Sequence, residues 1–156
     1  MTDTACFLYF AGLPTMTKTT SAHKNKTLAT LLAFLLGGLG LHRAYLRGAR
    51  DAYLWLHLVS LPAVALIGLL APGADPFFKL LPLVISILIG FLEALVLGLM
   101  SDEKWDARFN HGSGQQSASN WPLALLLVGT LMLGAGSLIA TISRLFDLLY
   151  TGGAYG

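Results

Sequence analysis

Between Leu80 and Met100 the chain runs for twenty-one residues with a single ionisable side chain, Glu93. As a helix that stretch is about 31 Å long, close to the ~30 Å hydrocarbon thickness of a bilayer. Backbone at that depth has no water to bond, so the run must be a helix that satisfies its own amides and carbonyls. Two similar runs lie on either side of it, Ala52 to Leu70 and Trp121 to Ser143, and a shorter one, Thr27 to Leu41, comes earlier. Only 12% of the residues are charged, against roughly a quarter in a soluble domain, so nothing outside these runs is large enough to form a water-soluble core. The expectation is an all-α integral membrane protein: a small bundle of four membrane-embedded helices with a short interfacial helix.

The first run is the difficult one. At about fifteen residues, roughly 22 Å, it is too short to span unaided. Either Lys26 and Arg43 snorkel to opposite surfaces, or the glycines Gly37, Gly38 and Gly40 break it and it re-enters the side it left. Four crossings divide the basic residues evenly between the two sides. Re-entry gathers Lys18, Lys24, Lys26, Arg43, Arg47, Arg50, Lys104 and Arg108 on one side against Lys79 and Arg144, which is a strong positive-inside signal. Both topologies stay open on the sequence.

The polar segments divide the chain. Residues 1–26 read as a polar or disordered N-terminal segment, and Met16, followed by TKTTSAHKNK, is the expected start. Residues 27–100 carry the first three membrane helices. Residues 101–120 form a polar connector in which Ser101 caps a short helix. Trp105 and Phe109 fall on one side of that helix, which suits a membrane surface. Residues 121–150 hold the fourth helix, with exit markers Arg144, Asp147 and Tyr150, and 151–156 are a glycine-rich tail.

The segment FLLGGLGLHRAYLRG, Phe34 to Gly48, joins an apolar glycine-rich run to a basic, aromatic turn. Its pattern G-x-x-G-x-H-R-x-Y-L-x-G, preceded by Lys24-Asn25-Lys26, resembles the two-transmembrane (TM-2) domain family over roughly residues 24–70. The resemblance implies a pair of membrane helices joined by a short turn, and the biochemical role of that family is not established. The turn residues His42, Arg43, Tyr45 and Arg47 read either as a contact for an anionic lipid headgroup or partner, or as the cap of a helix end.

Glu93 is the one acidic group inside a run, and such a group is a functional candidate by default. His57 lies at a similar depth on the preceding antiparallel helix, and Thr130 enters from the same side. His57 and Glu93 are therefore a candidate intramembrane pair, either a proton relay or a structural hydrogen bond with the acid neutral. Ser86, Gly90, Ala94 and Gly98 recur every four residues and form a small packing face for a close helix crossing. A lone cysteine, Cys6, excludes an internal disulfide, and no spacing suggests a metal, a cofactor or a catalytic nucleophile, so no enzyme is expected. A net charge of +2 is too small to suggest a nucleic-acid partner.

Two functional readings follow. One is a bacterial-type inner-membrane interaction protein that acts through helix packing, self-association or another membrane protein, and lipid contact. The other is a small transporter or channel that uses Glu93 and His57.

Overall fold

The computed structural model describes residues 22–155, so the expected start at Met16 and the N-terminal segment up to residue 21 lie outside the described residues. The described residues are helical, with no strand among them. Helix α1 (Lys26–Leu36) begins where the Asn25 side chain accepts the Leu28 N–H at 3.2 Å. At the glycines it tightens into a 3-10 turn (Gly37–Leu39), and Gly40 takes the left-handed conformation with φ 71°. The chain then reverses into α2 (Leu41–Arg47), so the segment expected to be a compact turn is itself a short helix.

This reversal fixes where the two ends of the first segment lie. The Asn25 N–H donates to the Tyr45 hydroxyl at 3.0 Å, and the Lys24 ammonium donates to the Leu46 carbonyl. The two ends of the α1–α2 hairpin therefore sit together at one end of the bundle, and the first segment turns back on itself. Its tip meets α4 (Pro76–Leu99) at Gly90, about ten residues or roughly 15 Å from the end of that helix. Of the four expected membrane helices, three are long and apolar enough to cross: α3 (Ala52–Leu70), α4 and α6 (Trp121–Thr151). The hairpin is inserted beside them.

Helix α4 is the centre of the bundle, with α1, α3 and α6 packed on it. The reason is its small face. Ser86, Gly90, Ala94 and Gly98 are all buried, and α1 answers with Ala29 and Ala33, which have no exposed surface. A Cβ placed on Gly37 would lie 2.7 Å from the Gly90 Cα, so the two backbones touch with no side chain between them. On the other flank, Gly98 faces Leu127 and Gly134 faces Phe91, both from the α4–α6 contact. The small face is taken up within the chain, and any partner helix must meet other surfaces.

One sequence expectation at the polar segments changes. Helix α5 (Asp102–Phe109) does not lay its tryptophan on the membrane surface: Trp105 is 0% exposed, belongs to the same buried cluster as Ala29, Ala33 and Leu97, and donates its indole N–H to the Lys24 carbonyl at 3.1 Å. The connector is a lid sewn to the bundle end. Lys26, only 6% exposed, bonds the Met100 carbonyl, Asp102 at 2.9 Å and Ser119 at 2.9 Å. Asp102 in turn accepts from the Ser119 N–H at 2.8 Å and hydroxyl at 2.7 Å. The Ser119 hydroxyl and the Lys26 ammonium lower the Asp102 carboxyl to a pKa of about 2.

Helix α6 runs past the exit markers to Thr151, one residue beyond the expected 121–150. Arg144 and Asp147, three residues apart, pair at 2.6 Å, and the helix stops only where Gly152 turns left-handed at φ 69°. Arg144 also reaches Asp75 at 3.4 Å, just before α4, so the outer end of α6 lies beside the α3–α4 turn.

Candidate functional site

The hairpin exists to be read from its second arm. With φ positive at Gly40, a residue bearing Cβ is disfavoured, and a Cβ there would also sit 3.2 Å from both the His57 Cβ and the Leu54 Cδ1. The reversal at Gly40 therefore packs directly on α3. It places His42 and Arg43, the second and third residues of α2, against Glu93 of α4.

Glu93 is the hub of the cluster. One carboxylate oxygen accepts from the Arg43 guanidinium, and the other lies 2.5 Å from His42 Nε2. His57 Nε2 is 3.5 Å from that second oxygen, beyond hydrogen-bond range. The sequence pairing of His57 with Glu93 thus brings together neighbours, while the shorter contacts come from the hairpin. The Arg43 guanidinium also supplies Glu93 with a charge partner.

The hydrogen-bond network fixes how His57 is used. The Ser86 hydroxyl donates to the Gly38 carbonyl at 2.7 Å, so it is an acceptor for His57 Nδ1–H, also at 2.7 Å. In the neutral ring Nε2 then carries the lone pair that faces the carboxylate, which accounts for the longer separation. His57 and Ser86 therefore pin the hairpin tip to α3 and α4. Ser60 adds a bond to the His57 carbonyl at 2.6 Å. Thr130, expected near this level, is buried but bonds back to the Leu126 carbonyl at 2.6 Å and takes no part in the cluster.

A second carboxylate stabilises the arginine. Asp51 caps α3 by accepting the Tyr53 N–H at 3.0 Å, and it lies 3.3 Å from Arg43 Nη1 and 3.5 Å from Arg47 Nη1. Burial pushes the Asp51 carboxyl up, but the Tyr53 amide and the two guanidinium groups outweigh it and hold the carboxyl below the usual range. The Tyr53 ring completes the setting, 4.6 Å beneath the Arg43 guanidinium. Of the four turn residues, His42 and Arg43 thus face the bundle, Tyr45 closes the hairpin, and Arg47 alone stays well exposed at its tip.

Two atoms of this cluster lack partners among the described residues: His42 Nδ1 and Arg43 Nε, both buried. Beside them a cavity of about 210 Å³ opens between α2 and α4 under α5. Three arginines line it, Arg43, Arg47 and Arg108, together with Glu93 and Asp51, and its far wall is apolar, with Leu92 and Val96. Arg108 has no ion pair among the described residues; its guanidinium lies 5.6 Å from the Phe109 ring centre. A second cavity of about 240 Å³ lies deeper, between α3 and α4, with Leu56, Val59 and Ala63 on one side and Ile85 on the other. No group of three His, Cys, Asp or Glu among the described residues gathers to hold a metal ion.

Sequence reasoning did not reach the joining of the turn to Glu93, nor the part played by Arg108 and Asp51. The signal for the first was present in the re-entrant alternative: once Arg43 returns to the side of Lys24, it shares a level with Glu93. Arg108 carries no such signal, because its place depends on how the connector folds over the bundle end.

No curated protein and no solved structure matches the chain. The family model of the TM2 domain matches residues 22–70 of this helical membrane protein, from the residues before α1 to the end of α3.

Proposed function

We propose that the protein binds the anionic headgroup of a membrane amphiphile in the arginine-lined cavity, as a multi-pass protein of a bacterial-type inner membrane. The observation that carries this reading is the make-up of that cavity. Three arginines face two carboxylates, leaving one cation in excess, and the wall behind them is the lipid-facing side of α4, where Leu92 and Val96 are 62% and 63% exposed. Cations at the level of a helix end with bare hydrocarbon below them match a lipid in both charge and polarity.

The distribution of charge supports an orientation. Lys24, Lys26, Arg43, Arg47, Arg50, Lys104 and Arg108 belong to the bundle end that carries the hairpin mouth and α5, whereas Lys79 and Arg144 lie at the other. By the positive-inside rule the cavity opens at the cytoplasmic leaflet. What weighs against a conduit through Glu93 is that Arg43 and His42 already engage its carboxylate.

The test is lipid retention by the purified protein in nanodiscs of mixed composition, read by native mass spectrometry. Anionic lipid is expected to be retained over phosphatidylcholine. Replacing both Arg47 and Arg108 by alanine should weaken it by about 2 kcal/mol, some thirtyfold, at roughly 1 kcal/mol per basic residue near the surface. Equal retention of anionic and zwitterionic lipid by the native protein would refute the proposal.

A further inference from the structure

His42, Arg43, Leu46 and Arg47 all line the arginine cavity, and as residues i, i+1, i+4 and i+5 they form one face of α2. The first turn of that face is unfinished. His42 is only 1% exposed, and its Nδ1 and the Arg43 Nε are buried with no partner among the described residues. Buried polar groups are paired as a rule, so each of these two atoms calls for one. The cavity is the space that both residues border, and an occupant is the natural source of the missing partner.

The proton positions select the chemistry of that partner. Arg43 Nε always carries its hydrogen and can only donate. His42 turns Nε2 to the Glu93 carboxylate, whose other oxygen accepts from the Arg43 guanidinium. The carboxylate therefore accepts from His42 Nε2–H, and the lone pair of the ring is left on Nδ1. An occupant has then to donate to Nδ1 and accept from Nε–H. A phosphate oxygen only accepts, and an ammonium only donates and brings a second positive charge to Arg43. A hydroxyl does both. The charges select the remainder of the headgroup. Arg43 is engaged by Glu93 and Asp51, which leaves Arg47, held by Asp51 only at 3.5 Å, and Arg108 on α5 to meet an anion. With one cation in excess over the carboxylates, the cavity matches the single negative charge of a phosphodiester. Arg47 lies five residues, about 7.5 Å, beyond His42 along α2, a gap that an arginine side chain and a three-carbon headgroup close between them.

We propose that the headgroup is phosphoglycerol and the ligand phosphatidylglycerol. The phosphodiester lies between Arg47 and Arg108, the glycerol reaches in so that a hydroxyl meets His42 Nδ1 and Arg43 Nε–H, and the acyl chains stay in the bilayer beside Leu92 and Val96. This rests on the anionic-headgroup reading above, to which it adds the hydroxyl and the residues that select it. Phosphatidylethanol, a phosphodiester of the same single charge whose headgroup has no hydroxyl, is the matching comparison.

The experiment is competition at equal mole fraction in phosphatidylcholine nanodiscs between dioleoyl phosphatidylglycerol and dioleoyl phosphatidylethanol, scored by native mass spectrometry. Phosphatidylglycerol is expected to be retained about tenfold over phosphatidylethanol, the worth of one buried group gaining its hydrogen bond. His42→Phe, which keeps a ring of similar shape and removes Nδ1, should bring that ratio to about one, and thermal unfolding shows whether the variant is folded. If it is not, the comparison of the two lipids on the native protein still decides. Equal retention of both over phosphatidylcholine would mean that water completes the cluster; it would overturn the proposal and leave the headgroup reading standing. A preference for phosphatidylglycerol that survives in folded His42→Phe would overturn the assignment to His42. Retention of neither lipid over phosphatidylcholine would remove both readings.

Discussion

Gly90→Ala adds one methyl group at the place where the hairpin tip meets α4. Its new Cβ would lie 2.6 Å from the Gly37 carbonyl carbon and 2.7 Å from the Gly37 Cα. Carbon atoms rest at about 3.5–4.0 Å, so the two backbones must part by roughly 1 Å. Neither neighbour is a side chain that can turn aside. Overpacking of this kind costs about 1–3 kcal/mol, and because backbone opposes backbone the upper end, about 3 kcal/mol, is expected. Two controls separate this cost from the substitution itself. Gly98→Ala meets Leu127 Cδ2 at 2.5 Å, the end of a flexible chain, and should cost less, about 1 kcal/mol. Gly136→Ala meets nothing within 4 Å and should be neutral, or stabilising by up to about 1 kcal/mol through helix propensity. Unfolding in mixed micelles, followed by helical circular dichroism as the denaturing detergent fraction rises, gives the three values on one scale. If Gly90→Ala unfolds with Gly136→Ala rather than well before it, the hairpin does not pack on α4 as described.

Other perturbations probe the polar cluster and the lid. Glu93→Ala leaves Arg43 and His42 without their shared acceptor, and removal of one partner of a buried pair costs about 3–5 kcal/mol; Asp51 still holds Arg43, so the lower end is expected in the same unfolding assay. Glu93→Gln, which keeps the shape, should cost clearly less, and equal losses would contradict the ion pair. At the lid, Asp102 has its pKa depressed from 3.8 to about 2, so its contribution is fully present above pH 4 and is lost as pH falls towards 2. In a variant with Trp55 and Trp121 replaced by phenylalanine, the buried Trp105 should shift its emission to the red across that window. Asp102→Asn should abolish the step, and a step centred at the ordinary carboxylate value would contradict the bonding seen here.

The spans were legible because an apolar run has one solution in a membrane: α3 matches the sequence boundaries, and α4 only starts earlier, where Pro76 opens the helix in place of Leu80. The small face Ser86-Gly90-Ala94-Gly98 was legible as a face, but periodicity does not say whether its partner is another chain or a segment of the same one. That was settled by the glycines of the hairpin tip, whose left-handed Gly40 returns the chain along α1. The error at α5 has the same origin. Trp105 and Phe109 at i and i+4 define an apolar side, and such a side suits a bilayer surface or a protein surface equally. Lys26, Asp102 and Ser119 decide in favour of the protein, and they are far apart in sequence. The pairing of His57 and Glu93 came from depth alone. Depth placed them within 3.5 Å of each other but could not supply Arg43, whose level depends on the direction of α2.

The central claim is that the first segment enters the bundle and returns to the end it left. Single cysteines at Ala22, Arg50 and Gly73, all exposed and with Cys6 replaced, test it with a membrane-impermeant thiol reagent on intact cells and on opened membranes. The structure predicts that positions 22 and 50 behave alike, protected in intact cells and labelled after opening, while position 73 is labelled from outside. Opposite behaviour at 22 and 50 would mean that the first segment crosses the membrane, and the hairpin with the site built on it would have to be abandoned.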